Sequence, residues 1–531
     1  MRYSRLFKNK WLWLFIVLWL FAQLIQLDGE WARMDDDAHY ILHARSLAVN
    51  HRYNDPNFVY TPEAQYVPKS TLPGWPLLLT PFLLIFGKNL VILKSVVVLI
   101  ALISGLVLYR LFVLKSQDRR LSLLLTVIYL FLMSTIVYSR LIYSEWPYML
   151  VSFVVIHLMR RENRQSIFGW VLIGLCLGIM LLFRSVAFSM VLAVIVFVVQ
   201  EEIVLNRRFG TGLKHLGIIL ASALVLYLGI QHALRPEQGS GYKEQFLSKE
   251  LYFPADGQAT VGDILSRMPR NGQTLVQRIV PMFIGRSWHE YVEFTKPGWS
   301  RWSHRALVLA GVPVLLLMLT GWFLQVRRKP SVMEFYVLFY MAMMSVVWFY
   351  TEAYRYLMPV APFLVYYSII GFGWIVSKWR KRSADRNPIV YGVLVVVLAI
   401  NICQAAIEIY RYRFSPQNAR AAAVTYQATA SWLREHATPG TLIIADDSRW
   451  YALETERPVT TFLTSRDADK AYRYLMKFPD AYLVVDEMRP LQRHYLVPVV
   501  QAHQDRFELV RSIGHIRIYR CRPEATSLEV V

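Results

Sequence analysis

Apolar stretches alternate with short clusters of Lys and Arg along the first 410 residues. Crossing a bilayer takes about 20 apolar residues of helix. The runs at 11–27, 90–114, 121–138, 147–159, 167–183, 186–204, 216–232, 307–326, 332–350, 357–376 and 389–408 are read as about eleven spans. Basic residues favour the cytoplasmic side. Putting the clusters at 115–120, 160–164, 207–214, 327–329 and 378–386 there threads every span consistently. The N-terminus is then cytoplasmic, and residues 28–87 and 233–304 are long external loops. The apolar stretch 72–86 is short and interrupted by Pro73, Pro76 and Pro81. Proline disrupts a helix interior, and counting this stretch as a span would put the 115–120 cluster outside, so an interfacial or half-inserted external helix is expected.

Beyond residue 410 the apolar runs shorten and the periodicity alternates between helix and strand. An amphipathic helix is expected at 419–436, strands at 441–445 and 482–485, a helix at 467–478, and a closing strand or hairpin at 507–519. The expected fold is mainly α: a polytopic transmembrane helix bundle over residues 1–410, followed by a small extracytoplasmic α/β domain over 411–531. That domain lacks the glycine-rich loop of dinucleotide binding. Its Asp446 and Asp447 follow a strand, as turn formers or as part of a site.

Composition supports this reading and excludes others. The chain is 55% hydrophobic and 18% charged, with 58 Lys and Arg against 37 Asp and Glu. The basic clusters lack interleaved aromatics and form no continuous face, so they read as loop anchors rather than a nucleic-acid surface. Cys176 and Cys403 fall inside spans and Cys521 near the end, a spacing without metal-knuckle or disulfide character. The basic residues 1–10 precede the first apolar run as in a signal peptide, but no small-residue cleavage pattern follows, so a retained anchor is expected.

Candidate chemistry gathers on the external side. Asp35, Asp36 and Asp37 follow the first span and precede His39 and Tyr40. One or two of these carboxylates suit a helix N-terminus; three together repel, which a bound cation or a basic substrate environment would relieve. Tyr66 and Lys69 precede the proline-rich stretch, where Lys69 is either a snorkelling lysine or a ligand for a lipid phosphate. Arg140 and Glu145 occupy the next external turn, Arg184 a short one, and Glu352, Tyr354, Arg355 and Tyr356 a late one.

In their order and common side these motifs resemble the GT-C glycosyltransferases, in particular the branch of lipid A aminoarabinose transferases and protein O-mannosyltransferases. The run Asp36-Asp37-Ala38-His39-Tyr40 is similar to that branch's acidic pair followed by a basic residue and Tyr, with His39 where Arg is commoner. Residues 66–73 are similar to its Lys-Pro element, although Lys69 is separated from the next Pro. Ser144-Glu145-Trp146-Pro147 and Arg355-Tyr356-Leu357-Met358-Pro359 match two further elements.

The resemblance implies a transferase that takes a sugar from a polyprenyl-phosphate donor and passes it to a lipid, glycan or protein acceptor. Asp36 is expected as general base of an inverting displacement, with Asp37 or Glu145 orienting the acceptor. Lys69, Arg184 and Arg355 are expected to stabilise the departing phosphate, and His39, Tyr40, Tyr66, Tyr354 and Tyr356 to line the substrate. A divalent cation, Mg, Mn or Zn, is expected at Asp36 and Glu145, and no nucleotide. The expected location is a bacterial inner membrane with the C-terminal domain in the periplasm. A transporter or flippase of lipid-linked glycans is the alternative; it predicts charges buried at mid-bilayer and two similar halves, whereas Lys94 and Arg110 are the exceptional charges inside spans and no repeat is evident. A silent membrane anchor is a third reading, which leaves the external carboxylates unexplained.

Overall fold

A bilayer offers backbone amides no partner but their own chain, so apolar segments cross it as helices. In the computed structural model, residues 9–31, 36–64, 71–160, 164, 166–234, 242–253, 256–284, 301–347, 353–380, 387–415 and 419–522 are described. Among them, six helices are long and apolar enough to cross a membrane. They are α4 (Leu90–Ser116), the stretch Ser185–Leu205 that contains α9 (Phe188–Val198), α10 (Phe209–Leu234), α13 (Arg301–Arg328), α16 (Ala361–Arg380) and α17 (Pro388–Phe414). Shorter apolar helices accompany them: α1 (Lys10–Gln26), α3 (Gly74–Phe86), α7 (Glu145–Leu158), α8 (Ile167–Phe183) and α14 (Val332–Val346). Leu84 on α3 and Val225 on α10 point outward uncovered, as a lipid-facing surface requires.

The run 121–138, expected to be one span, is two helices, α5 (Arg119–Phe131) and α6 (Met133–Tyr138). Leu132 leaves helical geometry between them, and the Tyr129 carbonyl accepts both the Leu132 N–H at 3.3 Å and the Thr135 hydroxyl at 2.7 Å. The stretch expected to be half-inserted forms α3, beginning at Gly74 and keeping Pro81 inside.

The stretch 233–304, expected to be a long polar loop, contains α11 (Tyr242–Leu247) and the 24-residue α12 (Val261–Ile284). Helix α12 packs on α13 and α14. Asn271 donates to the carbonyls of Met344, Ser345 and Val347, and Arg267 to that of Val346. Side chains of α12 thus satisfy the open carbonyls at the end of α14.

The C-terminal unit follows α18 (Ala419–His436). Its sheet has the order β2-β1-β3-β5-β4, built from β1 (Ile443–Ile444), β2 (Val459–Thr460), β3 (Tyr482–Asp486), β4 (Phe507–Ile513) and β5 (Ile516–Cys521). Strand β1 pairs in parallel with β2 and β3, and β4–β5 is the expected closing hairpin. The edge at β2 is covered by the segment that follows α2 (Asp36–Asn50): Val59 N donates to Val459 O, and Val459 N to Asn57 O, each at 2.8 Å. The C-terminal unit is thereby tied to the segment that carries the acidic motif.

Candidate functional site

The site begins at α2 (Asp36–Asn50), whose first turn carries Asp36 and Asp37, where the helix dipole favours negative charge. Their surroundings separate them. Asp37 is buried; its Oδ1 accepts from the Ile142 backbone N–H at 3.0 Å, and its Oδ2 has no hydrogen-bond partner among the described residues. Burial raises its pKa to about 8, helped by the neighbouring charge of Asp36 and opposed by Lys94. Asp36 is 23% exposed and lies 2.6 Å from Nη2 of Arg355. Burial acts to raise its pKa too, but the Arg355 guanidinium outweighs it and holds the carboxyl below the usual range.

Arg355, on the short helix α15 (Ala353–Leu357), bridges two acids. Its Nε donates to Glu145 while its guanidinium lies 4.0 Å over the Tyr143 ring. Glu145 opens α7 and also accepts from Arg184 Nη1 at 2.5 Å. Asp36, Arg355, Glu145 and Arg184 therefore form one row of alternating charge drawn from α2, α15, α7 and the end of α8. Tyr40, one turn along α2, hydrogen-bonds Ser144 at 2.9 Å and fixes the turn that precedes Glu145. Tyr242 of α11 stands in the field of Arg184, Asp36 and Arg355.

One turn further along the same face of α2 lies a second cluster. His39 and His43 point Nε2 at the Asp55 carboxylate, at 3.2 and 3.1 Å, and Arg449 of the C-terminal unit donates to Asp55 at 2.9 Å. The two rings stack on each other at 4.6 Å, and Tyr53 stacks on His43 at 4.4 Å.

Residues 68–229 match the family described as dolichyl-phosphate-mannose-protein mannosyltransferase. No curated protein matches the chain in sequence. In structure, the chain is similar to ArnT from Cupriavidus metallidurans, solved bound to undecaprenyl phosphate. The two share 12% identity with a TM-score of 0.53, over 97% of this chain and 98% of that one. It is also similar to the oligosaccharyltransferase AglB from Archaeoglobus fulgidus, solved with an inhibitory peptide and a dolichol-phosphate. There the identity is 13% and the TM-score 0.52, over 98% of this chain and 75% of the other. The chain has the GT-C fold.

The resemblance read from the four motifs is borne out at the level of that fold. Within the GT-C fold, the expected residues Asp36, Asp37, Tyr40, Glu145, Arg184 and Arg355 lie in one charged neighbourhood. Lys69 and Tyr66 lie outside the described residues. His39 faces Asp55. Tyr354 lies under the guanidinium of Arg278 at 5.7 Å, and the Tyr356 carbonyl accepts from Tyr340. A divalent cation at Asp36 and Glu145 would share both carboxylates with Arg355.

Lys94, with Arg110 one of the two exceptional charges inside the expected spans, sits in the second turn of α4 and meets Asp28 at 2.8 Å. Sequence reasoning missed Ser144, Tyr143 and Tyr242 as partners of the charged row. It also missed His43, Asp55 and Arg449, although the four-residue spacing of His39 and His43, on one helix face, was a signal available in the sequence.

Proposed function

We propose that this chain transfers a sugar from a polyprenyl-phosphate donor to an acceptor hydroxyl by a single inverting displacement, at the external face of a bacterial inner membrane. The observation that carries the proposal is the row Asp36–Arg355–Glu145–Arg184, which combines an ionised, partly exposed carboxylate with two largely buried guanidinium groups. Asp36 takes the proton of the acceptor hydroxyl as its oxygen attacks the anomeric carbon. The bond from that carbon to the phosphate oxygen breaks, and the electron pair leaves with the lipid phosphate. Arg355 and Arg184, with Lys69, stabilise the charge that accumulates there.

Donor binding and base activation are then linked. A phosphate that draws Arg355 toward itself takes away the partner that depresses the Asp36 pKa, so Asp36 becomes a stronger base only when the donor is present. Asp37, kept protonated by burial, donates a hydrogen bond and orients the acceptor. A divalent cation between Asp36 and Glu145 would have to displace Arg355, so transfer is expected to continue in the presence of chelator.

The test is reconstitution in liposomes with a lipid-linked sugar. Wild type should release free polyprenyl phosphate, and Asp36→Asn should insert and fold normally yet release none. Full activity of Asp36→Asn would remove it as base; movement of the donor across the bilayer without release would replace transfer by flipping.

A further inference from the structure

We infer that His39, His43 and Asp55 form a binding site for a divalent transition-metal ion, zinc fitting the donor set best, separate from the charged row at Asp36. The three offer one ligand atom each, and all three atoms lie within 4.8 Å of one another. The two imidazole-to-carboxylate separations are 3.2 and 3.1 Å. Zinc bonded to nitrogen and oxygen at about 2.0–2.1 Å in tetrahedral geometry sets its ligands about 3.3 Å apart. The two imidazole-to-carboxylate separations, each to a different oxygen of Asp55, match that edge, and an ion would draw the wider pair of the three inward.

Proton counting supports the same conclusion. Nε2 of His39, Nε2 of His43 and Oδ1 of Asp55 are all buried and complete no hydrogen bond among the described residues. On its other edge, Nδ1 of His43 lies 3.2 Å from the His39 carbonyl. A neutral imidazole carries one proton, and His43 faces the Asp55 carboxylate at Nε2 and both the His39 carbonyl and, at 3.4 Å, the Thr71 hydroxyl at Nδ1. If the proton is at Nδ1, the Nε2 lone pair faces the lone pairs of Asp55, a repulsion that a cation between them turns into two bonds. A ring donating Nδ1–H to a backbone carbonyl while Nε2 binds metal is the usual outer-shell arrangement.

The remaining neighbours suit the outer shell as well. Arg449 reaches Asp55 from the C-terminal unit and lies 4.3 Å over the Phe58 ring, orienting the carboxylate. Asp36, on the same helix as His39, adds negative charge to the field at that ring. Two imidazoles and one carboxylate select zinc-class ions over magnesium or calcium, which prefer oxygen ligands throughout. The metal would join α2 to the loop that pairs with β2, holding the helix that carries Asp36 against the C-terminal sheet.

The experiment uses the full chain, purified in detergent with a tag free of histidine and without chelator, and measures metal content by mass spectrometry and thermal unfolding with and without added zinc. Wild type should hold about one transition-metal ion per chain, unfold at lower temperature after chelation, and recover on adding zinc. Asp55→Asn, nearly isosteric, and His43→Ala should each lose at least tenfold in bound metal and show no zinc-dependent shift. Arg45→Ala, which removes an exposed ion pair to Glu456 on the same helix, should keep the metal. Wild type without stoichiometric metal and with no response to zinc overturns the site, as does full metal retention in Asp55→Asn and His43→Ala.

Discussion

The Arg355 guanidinium stands 2.6 Å from the Asp36 carboxylate, joining the short helix α15 to the first turn of α2. The same guanidinium holds Glu145, 210 residues away in sequence. One side chain thus sets the spacing of the expected base and of the acid that holds Arg184.

Arg355→Lys should fold and insert but lose transfer. Lysine presents a point charge in place of the planar fork that serves two carboxylates at once. Loss of one preorganised charge-stabilising donor costs on the order of 10²–10³ in turnover. Release of polyprenyl phosphate in reconstituted liposomes measures it, and turnover within about threefold of wild type would show that Arg355 acts on neither base nor leaving group.

Asp37 gives the protein a pH signature. Its folded pKa of about 8 lies above the ordinary value of 3.8, so the folded state binds its proton more tightly than the unfolded state. Its contribution to stability is complete below about pH 4 and is lost as pH rises through 8. Asp37→Asn keeps an oxygen to accept from Ile142 N and cannot ionise, so thermal unfolding in detergent should lose that part of its decline between pH 4 and 8. An unchanged pH slope would place the Asp37 proton elsewhere.

Gly321 and Gly371 let α13 and α16 touch backbone to backbone. A Cβ at Gly321 would stand 1.9 Å from the Tyr367 carbonyl oxygen, and one at Gly371 2.1 Å from that of Leu317. Small residues at such crossings are how membrane helices approach closely. Ala normally gains about 1 kcal/mol over Gly in a helix. Overpacking costs about 1–3 kcal/mol, so Gly321→Ala should lower the thermal midpoint, whereas Gly392→Ala, with open space around its Cβ, should not.

The spans, the amphipathic α18 and the closing hairpin were readable because each depends on periodicity within a few turns of chain. The break at Leu132 was not, because Tyr129 to Tyr138 is apolar but for Ser134 and Thr135, and the Thr135 hydroxyl folds back on the Tyr129 carbonyl across the interruption. Helix α12 was hidden for a related reason: it carries Pro269 and Pro281 and a polar face, and it is held by α13 and α14 rather than by its own pattern.

For the site, the sequence by itself determined the order of apolar stretches and basic clusters, because hydropathy acts locally and accumulates along the chain. From that order came the expectation that Asp36, Glu145, Arg184 and Arg355 share one face of the membrane. Only the tertiary structure decided how they pair: that Arg355 bridges Asp36 and Glu145, that His39 turns to His43 and Asp55, and that Arg449 reaches in from the C-terminal unit. Ion pairs between distant segments depend on distance and burial, which helix packing sets and residue order does not contain.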